Sequence, residues 1–181
     1  MTKKIETWKI KHSEEVADCK IFKIRRDYST RDSDGAEFPF YCLENPDWVN
    51  VIPITETGQV VLIEQYRHGI EEITLEIPGG MVDHGEDAKT AAERELVEET
   101  GFVPREIILL GKSRPNPAIQ NNWVYHYLAV DCEKHHEPEF DATESVFTKL
   151  VPFEDVQNLI ADGKITHSLV IAAFHWLSLR K

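Results

Sequence analysis

Hydrophobic and polar residues alternate in short runs along much of the chain. Residues 5–10, 19–28 and 37–44 alternate in this way and are β-prone, with charged or glycine-bearing turns such as Asp32-Ser33-Asp34-Gly35 between them. The pattern predicts a small antiparallel unit. Asn45-Pro46-Asp47 then breaks the chain, and two stronger strands are predicted at 48–54 and 59–66, joined through Thr57-Gly58. A short strand at 73–77 runs into Pro78-Gly79-Gly80, which reads as a loop too rich in glycine to continue a regular element. Residues 87–100 are strong helix formers with acids in the first turn, and Gly101 stands at the C′ stop. Further strands are expected at 106–112, 123–131 and 145–151, the last ended by Pro152, and helices near 153–162 and 167–179 close the pattern. The expectation is an α/β fold, with a β-rich extension over 1–45 and one main domain over 46–181.

Length and composition leave that picture standing: 181 residues suit one domain, and 41% hydrophobic with 29% charged residues are ordinary for a globular protein. Charge changes it more. The formal net charge is −12 with no basic run, so the footprint of a nucleic-acid or anionic-membrane binder is missing. An anionic substrate then needs a divalent cation to bridge it to carboxylates. Glu6, Lys9, Lys11 and His12 interrupt any N-terminal apolar run, and the most apolar stretch, 169–179, is too short to span a bilayer. Neither secretion nor a membrane span is expected. Cys19, Cys42 and Cys132 lie far apart without CxxC spacing, as befits reduced thiols, and the expected location is cytoplasmic. His135-His136, flanked by Lys134 and Glu137, reads as a solvated turn.

The helix over 87–100 carries the candidate chemistry. At 100° per residue, Glu95, Glu98 and Glu99 fall on one face within about 100° of arc, and Ala88, Ala91 and Ala92 share that face. Small apolar residues normally mark the side a helix turns to the protein, so these acids are expected to face a cleft. Three neighbouring carboxylates repel one another unless positive charge compensates, and a magnesium ion supplies it. A solvated Glu-rich helix, with Arg94 paired to Glu98 at i+4, accounts for the same residues.

Reading the preceding loop with the helix separates these alternatives. Gly80, five residues, Glu86, seven residues, then Arg94-Glu95-Leu96, Glu98-Glu99, Gly101 and Phe102 resemble the signature of the Nudix hydrolase family at every defining position. The resemblance implies a Nudix-type α/β/α sandwich with a mixed central sheet and an N-terminal antiparallel β extension. It also implies metal-dependent hydrolysis of a diphosphate, with Mg2+ as cofactor and Mn2+ as a substitute. Glu95 and Glu99 correspond to the main metal ligands and the Gly79 carbonyl to a further oxygen donor. Glu98 is either another ligand or a general base held by Arg94, and Glu86 braces the turn between loop and helix.

Outside this box, Glu64-Gln65-Tyr66-Arg67 followed by Leu75-Glu76-Ile77-Pro78-Gly79-Gly80 is similar to the ADP-ribose and nucleotide-sugar pyrophosphatase branch. The expected substrate is a nucleoside diphosphate sugar of the ADP-ribose, ADP-hexose or GDP-mannose type, split to a nucleoside monophosphate and a sugar phosphate. The N-terminal extension is of the kind that branch uses to build a homodimer. Arg67 is a candidate to grip the diphosphate or a ribose. Glu76 either binds a metal or sugar hydroxyl or pairs with Arg67. In 141–146 an acid before a late strand matches the branch's base or extra ligand, and Glu144 is the candidate, with Glu139 the weaker one. Tyr28 or Trp48 is a candidate to stack on the base. The asparagines Asn116, Asn121 and Asn122 are turn formers that also suit sugar hydroxyls. The competing readings are a Nudix hydrolase of nucleoside triphosphates or dinucleoside polyphosphates, and a non-catalytic nucleotide-sugar sensor. An RNA-directed activity calls for a basic groove, which the net charge opposes.

Overall fold

The structure, a computed structural model, describes residues 5–139 and 145–180. The chain divides into two compact units: the described residues up to Pro46 together with Arg114–Asn122, and Asp47–Ser113 with the described residues from Trp123 onward.

In the first unit β1 (Trp8–Asp18), β2 (Lys23–Arg31) and β3 (Glu37–Glu44) form an antiparallel sheet in the order β1-β2-β3. The first strand runs on through 11–18, beyond the predicted 5–10, although this stretch is charged rather than alternating. Cross-strand ion pairs account for it. Glu14 meets Arg26, Glu15 accepts from Lys23 at 2.8 Å, and Ser13 donates at 2.6 Å to Asp27, which Arg25 also holds. Opposite charges facing across an antiparallel pair stabilise it where an apolar pattern is absent. Elsewhere in this sheet Trp8 packs edge-on against Phe38 and Phe40, with Arg31 over the Trp8 ring, and all three aromatic side chains are exposed. The segment 114–122 joins this unit through a bond from the Leu43 amide to the Ile119 carbonyl, 2.7 Å.

The second unit is built on a mixed eight-stranded sheet. Its strands are β4 (Trp48–Thr55), β5 (Gln59–Arg67), β6 (Glu72–Glu76), β7 (Gly79–Met81), β8 (Phe102–Val103), β9 (Glu106–Ser113), β10 (Val124–Lys134) and β11 (Val146–Pro152). The principal path is β11-β5-β4-β10-β8, with β6 on β5, β7 on β4 and β9 on β10. The β4–β10 pairing is parallel and the others are antiparallel.

Alternation along the central strands sends side chains to two cores, as a period of two requires. Val49, Val51 and Val61 lie with Ala91, Ala92 and Leu96 of α1 (Ala88–Thr100). Ile52, Val60 and Leu62 lie with Val156 of α2 (Val156–Ala161) and Val170 and Phe174 of α3 (Ser168–Ser178). This is the expected sandwich, helices on both faces of one sheet. Among the described residues no helix is long and apolar enough to cross a membrane.

Three local expectations are corrected. The predicted helix over 153–162 divides into a 3-10 turn at Phe153–Asp155 and the short α2. The acid at the start of α1 is its N-cap rather than a first-turn residue: Asp87 accepts from the amides of Lys89 and Thr90 at 3.0 and 3.1 Å. Finally, Gly79 and Gly80 are strand, not loop, pairing with Asn50 and Val49. A Cβ on Gly79 would collide with the Val49 carbonyl and come within 2.9 Å of the Asn50 Cα, so glycine serves here to let two backbones meet.

Candidate active site

Helix α1 is fixed at both ends, by Asp87 and by Gly101, whose φ of 72° places it in the left-handed region while its N–H reaches the Val97 carbonyl at 2.8 Å. Ala91, Ala92 and Leu96 are fully buried and seat the helix on the sheet. That seating aims Glu99 and Glu95 at β7. Glu99, 6% exposed, accepts the Gly79 amide at 2.8 Å. Glu95 lies against Gly80 so closely that a Cβ there would overlap its carboxylate. Glu98 is the more solvated acid.

Arg94 ties this group together. One terminal nitrogen donates to Glu95 at 2.9 Å and to Glu98 at 3.0 Å. The other donates to Glu86 and to the Met81 carbonyl, each at 3.0 Å, and Nε reaches Glu86 at 3.0 Å. Glu86 also accepts the Asp83 amide, which closes the turn leading into α1. The Arg94 guanidinium, with this amide adding to it, holds the Glu86 carboxyl below the usual range, and Glu86 in turn raises Arg94 above its own.

The oxygens of Glu95, Glu98 and Glu99 and the Gly79 carbonyl are all hard donors, the kind that suits Mg2+ or Mn2+ rather than a soft metal. With Arg94 on Glu95 and Glu98, no three His, Cys, Asp or Glu side chains among the described residues are gathered as a finished cation site.

Gly79 and Gly80 also line a cavity of about 700 Å³ in the same unit. On its wall Glu76, 3% exposed, accepts from Arg67 Nε at 2.8 Å and Nη2 at 2.7 Å, and from the Thr74 hydroxyl at 2.6 Å. Burial alone would raise the Glu76 carboxyl, but the Arg67 and Thr74 hydrogen bonds outweigh it and hold Glu76 below its ordinary value. Trp48, half-buried, lines the same cavity.

Residues 45–174 match the family profile described as NUDIX domain. The chain belongs to the Nudix hydrolase family. It is similar to the ADP-ribose pyrophosphatase of Bacillus subtilis (strain 168), 27% identical over 140 residues that span 77% of this chain and 76% of that protein. It is also similar to the methanol dehydrogenase activator of Bacillus methanolicus, 29% identical over 140 residues with the same two shares. A crystal structure of an ADP compounds hydrolase matches with a TM-score of 0.85 at 24% identity, covering 98% of this chain and 95% of that one, which speaks for the Nudix fold.

The Nudix box and the Arg67–Glu76 pair therefore lie within one unit of this Nudix protein and share the Gly79-Gly80 strand. Tyr28 belongs to the first unit, stacked on His12 with ring centroids 4.3 Å apart and with Arg26 over its ring, and is not a cavity-lining residue. Glu144 lies outside the described residues, while Glu139 bonds through its amide to the Glu98 carbonyl at 2.8 Å. Cys132 is buried, and burial pushes its thiol up to about 12, so it is inert at neutral pH.

Several cavity residues escaped the sequence reading. Thr74 sits two positions before Glu76 on one face of β6, a spacing that would have found it. His167 lines the cavity and caps α3, its Nδ1 accepting the Leu169 amide at 3.2 Å, and nothing in its sequence context signals either role. Beneath it runs a buried chain from the Ser113 hydroxyl to His126 Nε2 (2.8 Å), from His126 Nδ1 to Asn50 Oδ1 (2.7 Å), and from Asn50 Nδ2 to the Leu169 carbonyl (3.0 Å). Burial lowers His126 to about 4, so its ring is neutral and can accept from Ser113 while donating to Asn50. The chain anchors the first turn of α3 to the central strands.

Proposed function

We propose that this Nudix protein hydrolyses the diphosphate bond of a nucleoside diphosphate sugar, of the ADP-ribose, ADP-hexose or GDP-mannose type. The products are a nucleoside monophosphate and a sugar phosphate, with Mg2+ as cofactor and Mn2+ as a substitute. The observation that carries the reading is that the acids of α1 and a cavity of about 700 Å³ meet at the same two glycines, Gly79 and Gly80. Carboxylates for the cation thus adjoin a chamber of the size small-molecule sites occupy. The similarity to an ADP-ribose pyrophosphatase over three quarters of the chain supports the substrate class.

In this reading Glu95, Glu99 and the Gly79 carbonyl hold the cation. When bound, it neutralises the diphosphate and makes a coordinated water more acidic. Arg94 holds Glu98 in place through one hydrogen bond and fixes Glu86 through two more. Glu98 either adds a ligand oxygen or takes the proton of the attacking water, and Glu144 is the other candidate for that proton. Water adds to one phosphorus, the bridging P–O bond breaks, and the leaving phosphate departs with the bond's electron pair. Arg67, braced by Glu76, grips the diphosphate or ribose, while Trp48 or, across the dimer interface, Tyr28 supplies ring surface for the base.

The main domain spans 46–181, and residues 1–45 form the dimerisation element of a homodimer working in the cytoplasm. The exposed Trp8, Phe38 and Phe40 rings support that assembly, since apolar surface of this kind favours a partner. Light scattering at micromolar concentration should give twice the chain mass; a monomer would remove the dimer from the proposal.

The function itself is tested by incubating the protein with ADP-ribose, ADP-glucose, GDP-mannose and nucleoside triphosphates, with and without Mg2+, and separating the products. Mg2+-dependent release of a nucleoside monophosphate from a diphosphate sugar is the expected result. Turnover of triphosphates alone would move the chain to the pool-cleaning reading, and tight binding without any turnover would favour the sensor. Glu98→Gln and Glu144→Gln, compared on the best substrate, then assign the base to whichever loses more turnover.

A further inference from the structure

We propose that the corner of the cavity between His167 and Glu76 recognises a sugar hydroxyl of the substrate. The inference rests on the proposed hydrolysis of nucleoside diphosphate sugars and assigns part of that site a specific task. Among the described residues His167 is hydrogen-bonded on one side: Nδ1 accepts the Leu169 amide, so the neutral ring carries its proton on Nε2. Burial lowers His167 below its ordinary value, against the pull of Glu76 and with the push of Arg67, which keeps the ring neutral. Nε2 lies 3.9 Å from Glu76 Oε2, too far for a hydrogen bond, and both residues line the cavity.

Glu76 is an ionised acceptor that already receives Arg67 and Thr74, and Nε2–H is a donor. A fixed donor beside a fixed acceptor selects a group that accepts from one and donates to the other. One oxygen about 2.8 Å from each satisfies both if it bears a hydrogen. A hydroxyl does so. A phosphate oxygen only accepts, so it can meet the Nε2–H donor but offers nothing to Glu76. The buried Asn50–His126–Ser113 chain holds Leu169, and with it the capping turn that aims His167.

The hydroxyl belongs either to the sugar beyond the diphosphate or to the nucleoside's own ribose, and substrate analogues separate the two. His167→Ser and His167→Asp both keep a side-chain oxygen able to cap α3 and both remove the Nε2–H donor. KM and kcat are measured for wild type and both variants on three esters. These are the preferred nucleoside diphosphate sugar, its 2′,3′-dideoxynucleoside form, and a nucleoside diphosphate carrying a simple alkyl group in place of the sugar. Wild type should show KM higher by about tenfold for one of the two truncated esters, the scale of one lost hydrogen bond. In both variants that gap should close, because KM for the full substrate rises while its kcat changes less than about threefold. A gap on the alkyl ester locates the second sugar in this corner, and a gap on the dideoxy ester locates the nucleoside ribose. A wild type with neither gap, or variants that keep the gap, overturns the inference and leaves the proposed hydrolysis intact. A wild-type protein that turns over none of the three overturns both.

Discussion

Around Arg94 three carboxylates, Glu86, Glu95 and Glu98, converge on one guanidinium, and Glu99 of the same helix accepts the Gly79 amide. Arg67 is bonded to Glu76, which also accepts a threonine hydroxyl and has a neutral histidine beside it. The first group keeps a large surplus of negative charge, and the second sets one buried carboxylate against one partly solvated arginine. Surplus charge calls for a cation, whereas a balanced pair serves to fix geometry. Both groups border the Gly79-Gly80 strand, so one short element divides attraction of a metal from recognition of a neutral group.

The comparison breaks most sharply at Glu99. Glu99→Gln keeps an acceptor for the Gly79 amide and removes one ligand charge, so turnover should fall on the order of a thousandfold. The thermal midpoint should stay within a few degrees of wild type. Near-normal turnover would return the acids of α1 to a merely solvated face.

At the balanced pair the effect is smaller and falls on binding and stability. Glu76→Gln removes the charge that receives Arg67 Nε and Nη2, so kcat/KM should drop roughly tenfold and stability by about 1–2 kcal/mol, moderated because Arg67 is partly solvated. The pH dependence follows from the lowered Glu76 pKa. Its stabilising contribution is complete above the ordinary value of 4.5 and is lost as pH falls through the depressed folded value. Chemical denaturation at pH 7 and in the acid range should show wild type losing part of its advantage over Glu76→Gln on acidification. A constant difference would show that the pair is not held as an ion pair.

Neighbouring glycines give the finest contrast. Gly79→Ala drives a Cβ into the β4 backbone and should cost about 1–3 kcal/mol of stability. Gly80→Ala meets only the flexible end of Glu95, so the fold should hold while turnover falls roughly tenfold through the displaced carboxylate. Melting curves and initial rates on both variants check this; the reverse pattern would contradict the placement of Glu95.

These regions differed in how far the sequence disclosed them. Helix α1 was legible because its cap, its stop and the spacing of Glu95, Glu98 and Glu99 are local signals. The Arg67–Glu76 pair was foreseen as one of two options, and only the side-chain geometry shows it, because the β5–β6 register sets Arg67 opposite Glu72 and Glu76 opposite Ile63. Strand β7 was misread because glycine signals a loop by composition, and only the facing backbone of β4 shows why glycine is needed there. The reach of β1 through 11–18 was hidden because its partners in β2 are charges rather than a repeating apolar face. His167 beside Glu76 and His126 beside Asn50 are contacts between distant positions, which no local pattern encodes.

Binding of Mn2+, followed by its electron paramagnetic resonance signal in wild type, Glu99→Gln and Glu76→Gln, tests the division of labour most directly. Wild type and Glu76→Gln should bind the ion alike, and Glu99→Gln should bind it at least tenfold more weakly. Equal binding by Glu99→Gln, or loss of binding in Glu76→Gln instead, would contradict the assignment of the cation to the acids of α1.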